Sequence, residues 1–200
     1  VLSFVVVFGI AKAITNYAAG HLSDRTGRKA VLVAGWLIAT PVPFMLLWAP
    51  TWSWSLGANA LLGISQGLTW STTAIMKIDL VGPARRGLAM GLNEFAGYVA
   101  VAGAALLTGL LAGRYGLRPE PFYPGVAFVL IGLLLSTMFV RDTRAHARQE
   151  ARRDKRSGGT LDAREVFSRT TIRDPDLSSV SQAGLVNNLN DGVAWGLFPL

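Results

Sequence analysis

Long apolar runs alternate with short charged segments along this chain. Each run is close to the roughly 20 residues that an α-helix needs to cross the hydrocarbon core of a bilayer. The runs cover residues 2–19, 30–48, 56–78, 88–112 and 122–140, and a further run occupies 177–200. The pattern predicts an all-α membrane protein with five complete spans and the start of a sixth. Because Val1 and Leu200 both lie inside apolar runs, we expect the chain to be a fragment.

The composition supports the same class. The chain is 51% hydrophobic and 16% charged, whereas a soluble domain carries about 25% charged residues. There is no cysteine, which excludes disulfide and thiolate chemistry. The two histidines and the absence of a glycine-rich phosphate loop indicate no metal site, no cofactor and no ATP hydrolysis.

The positive charge is distributed asymmetrically. The net charge is +7, which in a soluble protein would suggest nucleic acid as a partner. Of the 19 lysines and arginines, Lys12 lies within a span and Arg114 and Arg118 lie in one interhelical loop. The others lie on the opposite side. Cytoplasmic segments of membrane proteins are rich in Lys and Arg, so we place that side in the cytoplasm. The expected partner of the chain is the lipid bilayer, and nucleic acid is not expected to bind.

The segment between the first two runs reads Gly20-His21-Leu22-Ser23-Asp24-Arg25-Thr26-Gly27-Arg28-Lys29. We predict it to be a charged, glycine-bracketed turn. It resembles the signature Gly-x-Leu-x-Asp-Arg-x-Gly-Arg-Lys of the major facilitator superfamily, found between the second and third spans of each half. The resemblance implies a major facilitator-type helix bundle. This chain would hold the N-terminal half from its second span (1–140), the central cytoplasmic linker (141–176) and the first helix of the C-terminal half.

The resemblance also implies a gate. In the family this turn latches the cytoplasmic side, and the acidic residue contacts the other half. The role is carried over to Gly20, Asp24, Arg25, Gly27, Arg28 and Lys29. A loop that only sets topology is the alternative. A second turn contains Asp79, Arg85 and Arg86, and it resembles the family's loop after the fourth span; we expect it to join the first in a charge cluster.

Polar residues inside the apolar runs are candidates for a substrate or proton cavity, since such groups are costly in a membrane. They are Lys12, Asn16, Gln66, Asn93, Glu94, Asn187 and Asp191. Gln66, Thr69, Thr73 and Lys77 are spaced to form one polar stripe on a helix, which suits the wall of a cavity; bonds between helices are the alternative.

Two further patterns refine the picture. Gly63 and Gly67 form a GxxxG pair, which favours close helix packing. Pro41 and Pro43 are expected to kink the second run. Proton-coupled antiporters of the family often carry Arg-x-x-Gln-Gly in the run that contains Gln66, and here the arginine is absent.

The sequence thus predicts a secondary active transporter of a small solute that works by alternating access in the inner cell membrane. Protons are the candidate coupling ion. Uptake and efflux both stay open, as does the oligomeric state. A membrane enzyme would need a catalytic constellation, and none is found in the sequence. The remaining alternative is a membrane protein that binds a partner without transporting, or half of a homodimeric transporter.

Overall fold

The computed structural model describes residues 2–154 and 163–197, and no strand occurs in these residues. The helices are α1 Ser3–Thr26, α2 Arg28–Ala39, α3 Val42–Leu47, α4 Trp52–Val81, α5 Arg86–Tyr115, α6 Tyr123–Met138, α7 Arg144–Asp154, α8 Ala163–Ser168 and α9 Pro175–Leu197. The chain forms two compact units, residues 1–150 and 151–200, so each is described by itself.

Helix α4 is the centre of the first unit. It packs against α1, α2, α3 and α5. Gly63 and Gly67 lie against α1, where an added Cβ would meet the Phe8 carbonyl oxygen at 2.5 Å and the Thr15 Cβ at 2.7 Å. The predicted close packing is therefore present. Glycine allows two helix backbones to approach in this way because it has no side chain.

The second apolar run is divided into α2 and α3 at Thr40 and Pro41. Proline cannot donate the helical hydrogen bond and its ring crowds the preceding turn. The Thr40 hydroxyl donates to the Trp36 carbonyl at 3.0 Å and closes the end of α2. The predicted kink is present at this point.

Glycines also lie where α6 contacts α2 and where α5 contacts α4. The indole ring of Trp36 on α2 lies on Gly132 of α6. The ring of Trp70 on α4 lies against Gly97 of α5, where an added Cβ would be 2.5 Å from it. Most of α5 is otherwise exposed in the described part of the chain.

Four stretches of the described residues are long and apolar enough to cross a membrane. They are Ser3–Thr26, Arg28–Leu47, Pro83–Tyr115 and Glu120–Met138. They overlap four of the five predicted runs. Helix α4 is not among them, although it has 30 residues, because its middle is rich in Ser, Thr, Asn and Gln. The span 56–78 therefore stays a prediction, and its central position in the first unit offers these polar residues partners on neighbouring helices.

The second unit contains α8, a π-helical turn at Arg169–Arg173 and α9. Asp174 precedes α9, and its Oδ1 accepts the backbone N–H groups of Asp176 and Leu177 at 3.1 and 3.0 Å. This is an N-cap, which satisfies donors that the first turn of a helix leaves open. Because Pro175 follows as the first helical residue, where proline is favoured, α9 starts two residues before the predicted run.

Candidate functional site

The charged turn between the first two runs is tighter than predicted. Helix α1 continues to Thr26, and α2 begins at Arg28. Gly27 alone breaks the helix, with φ of +105°, a conformation that costs glycine little. The Asp142 carboxylate also lies where a Gly27 side chain would be, 2.5 Å from the ideal Cβ position. The backbone conformation favours glycine here, and a larger residue would also displace the Asp142 carboxylate.

Arg28 is buried and holds the turn to the end of α4. Its Nε donates to Asp79 Oδ2 at 3.0 Å, and its Nη1 pairs with Asp24 Oδ1 at 2.8 Å and donates to the Ser23 carbonyl at 3.2 Å. The Asp79 side chain is 9% exposed, whereas that of Asp24 is 69% exposed. The two predicted charged turns therefore meet through Arg28 and Asp79.

A third segment completes this cluster, and sequence reasoning missed it. The Thr143 hydroxyl donates to Asp79 Oδ2 at 2.7 Å, the same oxygen that Arg28 contacts. The backbone N–H of Lys29 donates to Asp142 Oδ2 at 3.1 Å. The sequence pattern places Asp142 and Thr143 in the predicted linker, 141–176, because no local pattern distinguishes them from its other polar residues. We call Asp24, Gly27, Arg28, Lys29, Asp79, Asp142 and Thr143 the turn cluster.

Four predicted gate residues are not part of the turn cluster: Gly20, Arg25, Arg85 and Arg86. Gly20 is inside α1 and not in the predicted turn, and it has open space beside it. Arg25 and Arg85 are exposed, and Arg86 is half-buried at the start of α5. The Lys29 ammonium donates to the Thr137 carbonyl at 2.7 Å, which ties the turn to α6 as well.

The predicted cavity residues of α1 contact α4. Lys12 Nζ donates to Gln66 Oε1 at 3.2 Å, and its ammonium lies 5.6 Å from the Phe8 ring centroid. Asn16 Oδ1 accepts the Ser71 hydroxyl at 2.8 Å. The structure thus brings three predicted residues together and adds Ser71 as a fourth.

A second polar group joins α4 to α5. Lys77 Nζ donates to Oδ1 of the buried Asn93 at 2.7 Å, and Asn93 Nδ2 donates to Glu94 Oε1 at 3.3 Å. Glu94 is exposed in the first unit. We call Lys12, Asn16, Gln66, Ser71, Lys77, Asn93 and Glu94 the inner polar group.

The polar stripe predicted on α4 does not form a single wall. Gln66 contacts α1, whereas Thr69 packs against Gly35 of α2. Thr73 and Lys77 line a groove of about 620 Å³ between α2, α4 and α6. Because several helices surround α4, residues that lie close together on its surface contact different neighbouring helices. The side chains of Asn187 and Asp191 lie outside the described residues.

Comparison with known sequences identifies the family of this chain. The profile described as Major Facilitator Superfamily matches residues 2–198. The chain belongs to this superfamily. The resemblance found in the turn at Gly20–Lys29 is confirmed, as is the all-α membrane fold of the major facilitator type. The protein is an integral membrane protein.

Individual relatives are similar over parts of their length. A proton-coupled antiporter flippase LtaA of Staphylococcus saprophyticus is 36% identical over 110 residues, which cover 54% of this chain and 24% of the relative. A multidrug resistance protein MdtG of Salmonella paratyphi C is 32% identical over 141 residues, covering 70% and 34%. A probable 4-methylmuconolactone transporter of Cupriavidus pinatubonensis is 30% identical over 181 residues, covering 88% and 41%. The chain therefore spans less than half the length of these curated relatives.

Proposed function

We propose that the protein moves a small organic solute across the inner cell membrane by alternating access. The observation that carries this proposal is the inner polar group. Two charged members of this group, Lys12 and Glu94, lie within helices that are long and apolar enough to span a membrane. Charged groups in such segments are costly and mark substrate or ion pathways.

In this proposal the inner polar group belongs to the substrate site, together with Asn187 and Asp191 of the following helix. Three amide side chains and a hydroxyl offer hydrogen bonds without net charge, while Lys12, Lys77 and Glu94 supply both signs. The names of the relatives support small organic molecules as substrates, since they include multidrug resistance and 4-methylmuconolactone transport.

The turn cluster is the proposed gate on the cytoplasmic side. Asp24 is available for contact with another part of the protein, because its side chain is 69% exposed. Arg28 is buried and the Asp79 side chain is 9% exposed, and this pair fixes the geometry behind Asp24. Residues 1–140 would then form the N-terminal bundle, and 141–176 the cytoplasmic linker. Gly20, Arg25, Arg85 and Arg86 flank the gate.

Protons are the proposed coupling ion, and Glu94 is the proposed carrier. Its carboxylate accepts a hydrogen bond from Asn93, which in turn accepts one from Lys77, so a change in its protonation would alter the contacts between α5 and α4. One relative is named a proton-coupled antiporter. The chain lacks the arginine that such antiporters often carry three positions before the residue equivalent to Gln66. Coupling would therefore depend on the Glu94 carboxylate.

The test measures flux of ethidium and of 4-methylmuconolactone into liposomes containing the full-length protein, with and without an imposed pH gradient. Glu94→Gln should abolish the dependence of flux on the gradient and leave downhill flux in place. Glu120→Gln, which changes a carboxylate in the loop before α6, is the matched control. If Glu94→Gln responds to the gradient as wild type does, its coupling role is refuted. Wild-type flux no faster than in empty liposomes for both probes would favour a partner-binding protein.

A further inference from the structure

The junction between α6 and α7 is part of the turn cluster and not only the start of a linker. Residues 140–143 are not helical. Within them Thr143 is 3% exposed, although it lies next to the arginine-rich α7. A buried polar residue at the edge of such a segment indicates a specific contact, because polar side chains are buried at a cost unless they are hydrogen-bonded.

Asp142 supplies a cap at the start of α2, where the N-cap residue Gly27 has no side chain to accept a hydrogen bond. The first four N–H groups of a helix have no partner within that helix. At the start of α2, the N–H of Lys29 is bound by Asp142 Oδ2 from 113 positions later in the chain. The second oxygen, Oδ1, accepts the N–H of Arg144 at 2.8 Å. One carboxylate thus joins the start of α2 to the start of α7.

Thr143 makes the corresponding link on the side of α4. Its hydroxyl donates to Asp79 Oδ2 beside Arg28, while its carbonyl accepts the N–H of His146 at 3.0 Å and of Ala147 at 3.3 Å. Its side chain therefore contacts the buried ion pair while its backbone starts α7. A displacement of α7 would therefore also move the Thr143 hydroxyl, which binds the same Asp79 oxygen as Arg28.

We propose that Asp142 and Thr143 are positioning residues of the gate, through which α7 sets the conformation of the turn at Gly27. This proposal rests on the proposed function of the turn cluster as a gate. In it, the gate consists of three chain segments: the α1–α2 turn, the end of α4 and the α6–α7 junction. Displacement of α7 releases the Lys29 N–H and the Asp79 carboxylate together, which loosens the turn.

Hydrogen–deuterium exchange on the full-length protein tests this directly. The expected result is faster exchange in residues 24–31 when Asp142→Ala or Thr143→Val removes a contact. Losing one hydrogen bond should speed exchange about fivefold, the equivalent of ~1 kcal/mol. Thr143→Ser restores the hydroxyl and should exchange like wild type. Thr108→Val is the matched control, since that hydroxyl donates to two carbonyls of its own helix, α5, and not to the turn cluster.

Two results would overturn the proposal. One is unchanged exchange at 24–31 in both Asp142→Ala and Thr143→Val. The other is an equal increase at residues 52–62, far along α4, which would show general destabilisation instead of a local effect. Because exchange requires no substrate, a failure here is separate from a failure of transport. If transport holds, Thr143→Val should also lower the maximal ethidium flux with unchanged KM, and Thr143→Ser should restore it.

Discussion

Arg28 contacts two carboxylates at similar distances but with very different exposure, which allows a sharp prediction. The Arg28–Asp24 pair is 2.8 Å long and the Arg28–Asp79 pair 3.0 Å. Side-chain exposure is 69% for Asp24 and 9% for Asp79. If distance determined the contribution of each pair to stability, the two would be equal. If burial determines it, the Arg28–Asp79 pair should contribute more to stability than the Arg28–Asp24 pair.

The expected magnitudes follow from that burial. Exposed ion pairs contribute about 0.2–1 kcal/mol, so Asp24→Asn should lower the free energy of unfolding by less than ~1 kcal/mol. Removing one partner of a buried pair costs about 3–5 kcal/mol, because the other charge is left without compensation. We therefore expect Arg28→Gln to cost about 3–5 kcal/mol, since Asp79 would keep only the hydrogen bond from Thr143.

Double-mutant cycles separate the two pairs. The assay is urea unfolding of the full-length protein in detergent, followed by tryptophan fluorescence. The coupling energy between Arg28→Gln and Asp79→Asn should be about 2–3 kcal/mol, near the upper end for contacting residues. That between Arg28→Gln and Asp24→Asn should stay below ~1 kcal/mol. Equal coupling energies would show that burial does not govern this cluster, and the reasoning would be wrong.

Two further predictions concern packing and charge. Gly67→Ala should lower the free energy of unfolding by about 1–3 kcal/mol through overpacking against α1, whereas Gly103→Ala, which has open space around it, should be neutral or slightly stabilising; equal effects in urea unfolding would contradict the close packing. A hydrogen bond from Arg169 holds the pKa of Glu165 below its usual value, so this ion pair stabilises its segment above the ordinary glutamate pKa and loses that effect as the pH falls through the folded-state pKa. Arg169→Gln should raise the midpoint in a carboxyl ¹³C NMR titration, and an unchanged midpoint would refute the assignment.

Much of the fold could be predicted because a bilayer constrains sequence strongly. A spanning helix must be long, apolar and internally hydrogen-bonded, so run length was enough to predict helices. Four stretches of the described residues are long and apolar enough to span a membrane. The GxxxG at Gly63 and Gly67 and the break at Pro41 are equally local, since each follows from the shape of one or two residues. The turn signature at Gly20–Lys29 indicates the superfamily by itself, because it is a pattern of neighbouring residues.

The candidate site needed the tertiary structure. That Asp142 binds the Lys29 N–H and fills the space beside Gly27 depends on a contact across 113 positions, and nothing near Asp142 in the sequence encodes it. The arrangement of α4 decided which residues of its polar stripe meet: Gln66 contacts Lys12, Lys77 contacts Asn93, and Thr69 packs on α2. Helical spacing places residues on a face of one helix, whereas the partner of that face is chosen by the packing of the whole bundle. The sequence by itself therefore determined the class, the turn and the candidate residues, and the tertiary structure decided how they are paired.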